Sequence, residues 1–402
     1  MIATIVLAAI PAFVQLSLTD AQSRVVANSV DVQTALAAAR QKNAALQIAR
    51  TGAIPHLFGD YALSPQASAN NLYEVEQHFL TVGADISIND VLAASPQTQA
   101  AAADLLAAQR EADAATLHAR ETATKLYFTA LQTIAVQVQR QNDLTGARRD
   151  RSAAELRYRT GEAPQIDVVR ADVSVAQAKA NFARAQADRA DAAEALASAA
   201  AIAPDALGAT GGSVAPLALP LDETRATARA LAMRPELASL LATIDARRAD
   251  VATARQSALP TATLSGGYAR GVDTELPVQG PAVTAHVDLP LASGAGARTS
   301  SALAQVEIAR AQLVDERRTI ALEVSSAVRD ARAQAAALRA ALVARDEAAR
   351  ALAAVQTGYR EGASSSLDVA DARRTYEQAA IDALVAQYQQ AQALAILEVI
   401  VP

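Results

Sequence analysis

Long stretches without glycine or proline, in which apolar residues recur every three or four positions, dominate the sequence. Such spacing places the apolar side chains on one face of an α-helix. Residues 297–357, 363–401 and 165–203 are unbroken in this way, and a further helix is predicted from about Pro96 to Tyr158, with Gly146 inside it. Sixty helical residues would extend about 90 Å, which is longer than a compact domain uses.

One apolar seam follows the predicted helix over residues 297–357, and charged pairs occupy its other faces. The seam consists of Leu303, Val306, Leu313, Ile320, Val324, Val328, Leu338, Leu342, Leu352 and Val355. A coiled-coil rod and a tube of helices both have seams of this kind. The helices alone therefore leave both architectures open.

Two shorter segments alternate with period two, which is typical of a β-strand with one apolar and one polar face. From Leu80 to Ile88, every second residue is apolar, and Val283 to Leu289 alternates in the same way. Their partner strands are predicted at Leu57 to Leu63 and at Thr261 to Tyr268, across polar or glycine-rich loops. Each half of the chain therefore contains one predicted hairpin.

An apolar face opposite a polar one is the pattern of a membrane barrel with a wet lumen. Four strands cannot close a barrel alone, because the smallest closed barrels have about eight strands. The membrane interpretation therefore requires oligomerisation. The alternative is that the hairpins cap a soluble helical rod.

The two halves of the chain repeat one another. "YRTGEAPQIDV", from Tyr158, matches "YREGASSSLDV", which begins 201 positions later at Tyr359, and "ARTGAIP" matches "ARQSALP" at a shift of 205. Each repeat has the order helix, hairpin, long helix, turn, helix. We predict a first repeat at 30–207 (hairpin 56–90, turn 158–166), a linker at 208–222, and a second repeat at 223–402 (hairpin 260–292, turn 359–366).

Composition agrees with long helices packed side by side. Alanine dominates the 51% hydrophobic fraction, aromatic residues make up 3%, and tryptophan is absent. Alanine buries little area but lets helix backbones approach closely. The net charge of −6 is modest and arginine is interleaved with acidic residues, so the sequence does not indicate nucleic-acid binding.

The sequence predicts neither an enzyme nor a cofactor or metal site. His56, His78, His118 and His286 are not spaced as metal ligands, and the absence of cysteine excludes thiolate sites and disulfides. The "GATGG" stretch at 208–212 lacks the lysine of a phosphate-binding loop and is interpreted as linker.

The first 14 residues are apolar over a length that fits a signal peptide but is too short to span a bilayer as a helix. A weak cleavage site ends at Ser23, so one interpretation is a signal peptide at 1–23. The other is an N-terminal core segment. No later stretch has the pattern of a transmembrane helix.

The order of these elements, the two Y-R-x-G turns, the "ALP" ending at Pro260 and "LPLASGAGAR" (289–298) resemble the TolC-like family of outer-membrane efflux proteins. The resemblance covers about Val30 to Leu397. It implies a mainly α fold in which long antiparallel helical hairpins form a trimeric periplasmic tube. It also implies that four β-strands per chain contribute to a shared 12-stranded outer-membrane barrel.

The resemblance implies a channel of a tripartite efflux or type I secretion system, a passive exit duct for drugs, ions or secreted substrates. Its partners would be two further copies of the chain, a periplasmic adaptor, an inner-membrane transporter and outer-membrane lipid. A soluble periplasmic coiled-coil scaffold or adaptor without a barrel is the alternative, because it would use the same helical pattern.

Proteins of this family close their pore, and dock their adaptor, at the periplasmic turns. The resemblance assigns the gate to Asp368, Asp371, Tyr359, Asp167 and Arg170. It assigns the turns and adaptor docking to Tyr158, Arg159, Gly161, Arg360, Gly362 and Ser364. Ordinary helix capping is the alternative role for Asp368 and Asp371.

The chain departs from the family in two places. Some members carry an arginine where this chain has Ser364, so Arg170 or Arg360 is expected to supply a substitute ion pair. In addition, Leu46 lies 9 residues before Pro55, whereas Leu237 lies 23 residues before Pro260. We therefore expect one helix of the first repeat to be about 21 Å shorter than its counterpart.

Overall fold

The computed structural model describes residues 16–51, 54–67, 74–202, 222–272, 279–288 and 294–401. Helices and antiparallel strands follow one another in the order α1 (Leu18–Asn28), α2 (Val30–Thr51), β1 (His56–Ala67), β2 (Glu74–Ser87), α3 (Ile88–Arg159), α4 (Gln165–Ala200), α5 (Glu223–Met233), α6 (Pro235–Gln256), β3 (Thr261–Val272), β4 (Gln279–Asp288), α7 (Ala295–Arg360) and α8 (Ser366–Ile400). The predicted fold class, long helices with four strands, is confirmed.

Residue contacts divide the chain into two compact units. The first comprises Met1–Gln33, Ala114–Arg234 and Arg318–Pro402, and the second comprises Thr34–Asp113 and Pro235–Arg317. Each unit therefore combines segments from both predicted repeats, and α3 and α7 contribute to both units. The predicted linker lies outside the described residues except for Asp222, which caps α5.

The expectation of a shortened helix in the first repeat is wrong. Helices α2 and α6 both have 22 residues, and α1 and α5 both have 11. A constant shift of 205 relates all four helices and carries the first residue of β1 onto the first residue of β3. The apparent gap arose from pairing Leu46 with Leu237, two leucines that are not equivalent in the structure.

Helix α1 covers the end of the segment for which a signal peptide was one interpretation. Residues 1–15 lie outside the described residues, but Leu18 to Ser23 form the first half of this helix. Ala21 is fully buried and packs with Leu16, Ala130 and Leu196. The boundary suggested at Ser23 falls inside a packed helix, and this helix is the counterpart of α5 in the second half of the chain.

Helix α3 begins at Ile88, eight residues before the predicted start at Pro96. Strand β2 therefore ends at Ser87, one residue before its predicted end at Ile88. Pro96 lies inside the helix and has no N–H to offer the carbonyl of Leu92, four residues earlier. The side-chain amide of Gln256 in α6 donates to that carbonyl at 3.1 Å. A side chain of the same compact unit thus satisfies the acceptor that proline leaves open.

The helices pack through alanine and a few larger aliphatic residues. In the predicted seam of α7, Ile320, Val324 and Val328 are almost fully buried. Leu303 differs from the prediction, because 45% of it is exposed. Among the described helices, none combines the length and the hydropathy that a membrane span requires.

The four strands form one antiparallel sheet in the order β1-β2-β3-β4. Val82 lies opposite Gly59 in β1 and opposite Tyr268 in β3, and Pro281 in β4 lies opposite Tyr268. Because residues directly opposite in a sheet share a face, this register places most of the apolar residues of the four strands on one side. They are Leu57, Tyr61, Leu80, Val82, Ala84, Ile86, Leu264, Tyr268, Val283, Ala285 and Val287.

This apolar face is the more exposed face of the sheet. Leu57 is 88% exposed and Val283 is 77% exposed, although both are large aliphatic residues. The opposite face carries His56, Asp60, Thr81, Asp85, Ser265, Thr284, His286 and Asp288. A soluble protein rarely exposes so continuous an apolar surface without covering it.

Gly83 and Gly267 lie directly opposite each other on the polar face, where β2 and β3 approach closely. A Cβ on Gly267 would lie 2.8 Å from the carbonyl oxygen of Val82, and one on Gly83 would lie 2.5 Å from that of Gly266. The ring of Phe58 lies within 2.9 Å of the same Gly83 position. An aromatic ring thus covers a pair of residues that cannot carry side chains.

We predict that Gly267→Ala destabilises the folded sheet by about 1–3 kcal/mol, because its methyl group would overlap strand backbone. The neighbouring variant Gly266→Ala is the matched control, since a Cβ there meets nothing within 4 Å. Thermal denaturation of the detergent-solubilised protein, followed by circular dichroism, measures the difference. Equal melting temperatures for the two variants would contradict the close approach.

Candidate functional site

The two turns predicted from the repeated motif have the same backbone structure. Gly161 and Gly362 follow the last residues of α3 and α7 and adopt φ angles of 79° and 81°. Their N–H groups donate to the carbonyls of Tyr158, at 3.0 Å, and Tyr359, at 3.3 Å. Only glycine takes this left-handed conformation without a steric penalty.

The residue after each glycine completes the helix end. The N–H of Glu162 donates to the carbonyl of Arg157 at 2.8 Å, and that of Ala363 donates to the carbonyl of Gly358 at 2.7 Å. Together with the glycine bonds, these contacts form a Schellman motif, which satisfies carbonyls that a helix end would otherwise leave open. Both turns therefore send the next helix back beside the one before it.

The helices that leave the two turns begin differently. Pro164 precedes α4 and provides no side-chain cap. Ser365 precedes α8 and forms a capping box with Asp368: the Ser365 hydroxyl accepts from the Asp368 N–H at 3.2 Å, and the Asp368 carboxylate accepts from the Ser365 N–H at 2.8 Å. The backbone hydrogen bond from Ser365, followed by its side-chain bond, lowers the pKa of Asp368.

The two gate aspartates of the second turn, Asp368 and Asp371, are both exposed. Asp368 is held in its capping box, so the capping role that the sequence left open is present for this residue. Asp371 lies one turn further along α8, 3.4 Å from the guanidinium of Arg374. Capping does not conflict with a pore role, because the carboxylate stays ionised and exposed.

Asp167 and Arg170 meet the start of α8 through Ser366. The Ser366 hydroxyl donates to the Asp167 carboxylate at 2.5 Å, and Arg170 donates to the same hydroxyl at 3.1 Å. Arg170 also lies 3.6 Å from that carboxylate, and Asp167 is buried. Arg170 thus pairs with Asp167 of its own helix α4, and Ser366 joins this pair to the second turn.

Tyr359 is joined to the first turn by an arginine that the sequence analysis missed. The guanidinium of Arg157 lies 4.4 Å from the centre of the Tyr359 ring, a cation–π contact, and its Nε lies 3.7 Å from the Glu162 carboxylate. Its position in the repeat offered a signal, because the equivalent residue is Gly358. Because Arg157 and Gly358 occupy equivalent positions, only the first turn has a guanidinium there.

The other predicted turn residues bond within their own segments. Arg360 donates to the carbonyl of Gln356 and to the hydroxyl of Thr357, both in α7. Arg159 pairs with Glu155 of α3. Tyr158 is 45% exposed, which leaves it available to a partner.

Two cavities lie among the helices beside the turns. The first, of about 340 Å³, is lined from α3, α4, α7 and α8 and includes Arg157, Asp167, Arg170, Tyr359 and Ser366. The second, of about 550 Å³, is lined from α3, α4 and α8 and includes Arg140, Asp143, Gln177, Asn181 and Glu377. Arg373 lines both cavities.

Arg373 contacts α3 at the position of Gly146. Its Nε lies 2.6 Å from the Asp150 carboxylate, as an ion pair rather than an aligned hydrogen bond. A Cβ on Gly146 would lie 2.8 Å from Nη1 of Arg373, so the single glycine of α3 makes room for the guanidinium. Gly146 interrupts the predicted helix in the sequence, but no local pattern connects it with an arginine more than 200 residues away.

Burial disturbs the titration of the carboxyl groups around Arg373. It raises the pKa of Glu377 to about 7, with a further contribution from the charge of Asp143 and a partial offset from Arg373 and Arg140. Burial also raises the pKa values of Asp143 and Asp150, against the attraction of nearby arginines. The helix contact thus holds three carboxyl groups that resist ionisation.

A family profile described as "Outer membrane efflux protein" matches residues 227–401. The match covers 175 of the 402 residues. The matched range includes the Gly362 turn and the Ser365–Asp368 capping box. The resemblance to outer-membrane efflux proteins stated from the sequence is therefore confirmed. None of the curated proteins matches the sequence.

Three solved structures share the fold over nearly the whole chain. A membrane protein from Pseudomonas aeruginosa has a TM-score of 0.84 and 20% identity, covering 97% of this chain and 91% of that one. The CmeC outer membrane channel of Campylobacter jejuni has a TM-score of 0.81 and 16% identity, covering 96% and 85%. The open state of the Neisseria gonorrhoeae MtrE outer membrane channel has a TM-score of 0.77 and 20% identity, covering 97% and 92%.

We predict that Ser366→Ala lowers stability by about 1–3 kcal/mol, because the buried Asp167 carboxylate would lose its hydroxyl donor. Ser152→Ala is the control, since the Ser152 hydroxyl bonds to the Arg148 carbonyl of its own helix. Urea unfolding followed by circular dichroism compares the two. If both variants unfold at the wild-type midpoint, Ser366 does not tie the turns together.

Proposed function

We propose that three copies of this chain form a passive exit duct through the outer membrane, used in tripartite efflux or type I secretion. The observation that carries the proposal is the sheet with one exposed apolar face and one polar face, joined to helices that end in the two glycine turns. Membrane lipid would cover the apolar face, and the polar face would line a wet lumen. The family match of residues 227–401 supports the same conclusion.

The sheet topology supports a trimer. In the described sheet, β1 and β4 are the two outer strands, each paired on one side. An outer strand in a membrane must pair with another strand, because lipid cannot satisfy backbone N–H and C=O groups. If β4 of one copy pairs with β1 of the next, three copies close a barrel of about 12 strands, which exceeds the minimum of about eight.

The exposed apolar face argues against the alternative of a soluble periplasmic scaffold or adaptor. Leu57, Val82, Val283 and Val287 each expose more than half of their surface to one side of the sheet. A scaffold in water would present a polar surface there. The helical seam fits both functions and does not distinguish them.

The proposed gate lies at the two turns. Asp368 and Asp371 of three copies would form two rings of carboxylates, which attract cations into a narrow pore. The Arg157–Tyr359 contact and the Asp167–Ser366–Arg170 contacts would hold the second turn against the first and so favour the closed state. Substrate leaves after an inner-membrane transporter and a periplasmic adaptor engage the exposed turn residues, among them Tyr158, Arg159 and Arg360.

We predict that the full chain partitions into the outer-membrane fraction and, after extraction in detergent, migrates as a trimer that dissociates on heating. Inserted into a planar lipid bilayer, the trimer would conduct ions in discrete steps. Sucrose-gradient fractionation, mass determination in detergent and bilayer recording test these three points. A folded chain that is fully soluble and monomeric without detergent would overturn the proposed function.

We predict that divalent cations on the turn side block this conductance and that Asp368→Asn together with Asp371→Asn weakens the block at least tenfold, because the two carboxylate rings lose their charge. Asp346→Asn removes an exposed carboxylate from α7 and is the matched control. Single-channel recording at increasing Mg²⁺ concentrations gives the blocking constants. A block that persists unchanged in the double variant would place the gate elsewhere.

A further inference from the structure

A largely buried guanidinium of α8, that of Arg373, reaches a carboxylate of α3. Arg373 projects from α8 into the space above Gly146 and reaches the Asp150 carboxylate at 2.6 Å. Only 20% of its side chain is exposed. Arg140, which pairs with Asp143 at 3.5 Å, is the second cation at this contact, and it belongs to α3 itself. Among the described charged groups at this contact, Arg373 is the one that joins the two helices.

Glu377 lies four residues after Arg373 on α8, and several charged groups surround it. From α3 it faces Arg140, Asp143 and Asp150. Among the described residues that line its cavity, α4 presents the neutral pair Gln177 and Asn181, which bond to each other. From its own helix it faces Arg373 and Arg374, and Arg374 is paired with Asp371.

An ionised Glu377 would compete with Asp150 for Arg373. Residues four apart on a helix are neighbours, so a carboxylate at position 377 lies within reach of the guanidinium at 373. A protonated Glu377 offers no such competition and leaves Arg373 on α3. The choice of partner decides whether Arg373 bridges two helices or bonds within one.

We propose that Arg373, Asp150 and Glu377 form a proton-controlled clasp, in which protonated Glu377 leaves α8 fastened to α3 and ionised Glu377 releases it. The atoms needed are Arg373 Nε, the Asp150 carboxylate and the Glu377 carboxyl group, and the proton is exchanged with the water-accessible cavity of about 550 Å³. Gly146 is the positioning residue, because a larger side chain there would push Nη1 out of its place.

The direction of the pH effect follows from the raised pKa. A carboxyl group with a pKa of 4.5 in the open state and about 7 in the clasp stabilises the clasp most below pH 4.5 and ceases to do so as the pH rises through 7. While Asp150 stays ionised, the clasp is therefore more closed near pH 6 and loosened in mildly alkaline medium. Linkage between these two values gives an opening constant about tenfold larger at pH 8 than at pH 6.

The clasp has a functional consequence that rests on the proposed function. Asp368 and Asp371 lie on the same helix, within two turns of Arg373. Release of α8 from α3 would free the helix that carries the proposed gate. Mildly alkaline conditions on the turn side would then favour the open channel, in addition to any action of an adaptor.

Hydrogen exchange of the full chain in detergent, read by mass spectrometry at pH 6 and pH 8, tests the clasp. After correction for intrinsic exchange rates, we expect amides of residues 366–382 to exchange about tenfold faster at pH 8 in the wild type. Glu377→Gln should abolish this difference and keep exchange slow. Glu398→Gln, which alters an exposed carboxylate on the same helix, should preserve the difference.

A second variant, Arg373→Gln, tests the clasp independently of Glu377→Gln. Arg373→Gln should give fast exchange at both pH values, because the clasp is absent. A wild type without the pH difference, or an Arg373→Gln variant that retains it, would overturn the clasp even in a conducting channel. Absence of channel conductance alongside the expected exchange would refute the proposed function and leave the clasp intact.

Discussion

The reversal of the chain at Gly161 and Gly362 is the constraint on which the candidate site depends. Each glycine takes a left-handed conformation that ends one long helix and returns the next along its side. Three contacts between the two helical hairpins lie beside these reversals: Arg157 with Tyr359, Asp167 with Ser366, and Arg373 with Asp150. A β-carbon at either glycine would strain the backbone before any of these side chains could meet.

The sequence was sufficient for features that depend on local periodicity. The long helices, the hairpins, the glycine turns and the one-sided apolar faces of the strands all follow from spacing along the chain. Contacts between distant residues did not follow, because no local pattern relates Gly146 to Arg373 or Pro96 to Gln256. Helix starts were also misplaced, since Pro96 was taken as a boundary although a side-chain amide elsewhere satisfies the carbonyl it leaves open.

The partly buried charges beside the turns contribute little to stability, and in the proposed clasp they serve control. Removing charged groups from water costs more than an ion pair returns unless the pairing is complete. Here three carboxyl groups, Asp143, Asp150 and Glu377, share two guanidinium groups, so the pairing is incomplete and ionisation of Glu377 is suppressed. Alanine-rich helices with an aliphatic contact at this place would pack more tightly, but they would have no response to pH.

The two turns show how a duplicated backbone acquires different roles. Their hydrogen bonds coincide at a shift of 201 residues, yet Pro164 leaves α4 without a side-chain cap, whereas Ser365 and Asp368 fix the start of α8. Arg157 corresponds to Gly358, so the first turn supplies the guanidinium and the second supplies the tyrosine ring beneath it. The symmetry of the backbone sets the geometry, and the loss of symmetry in the side chains makes the two turns complementary.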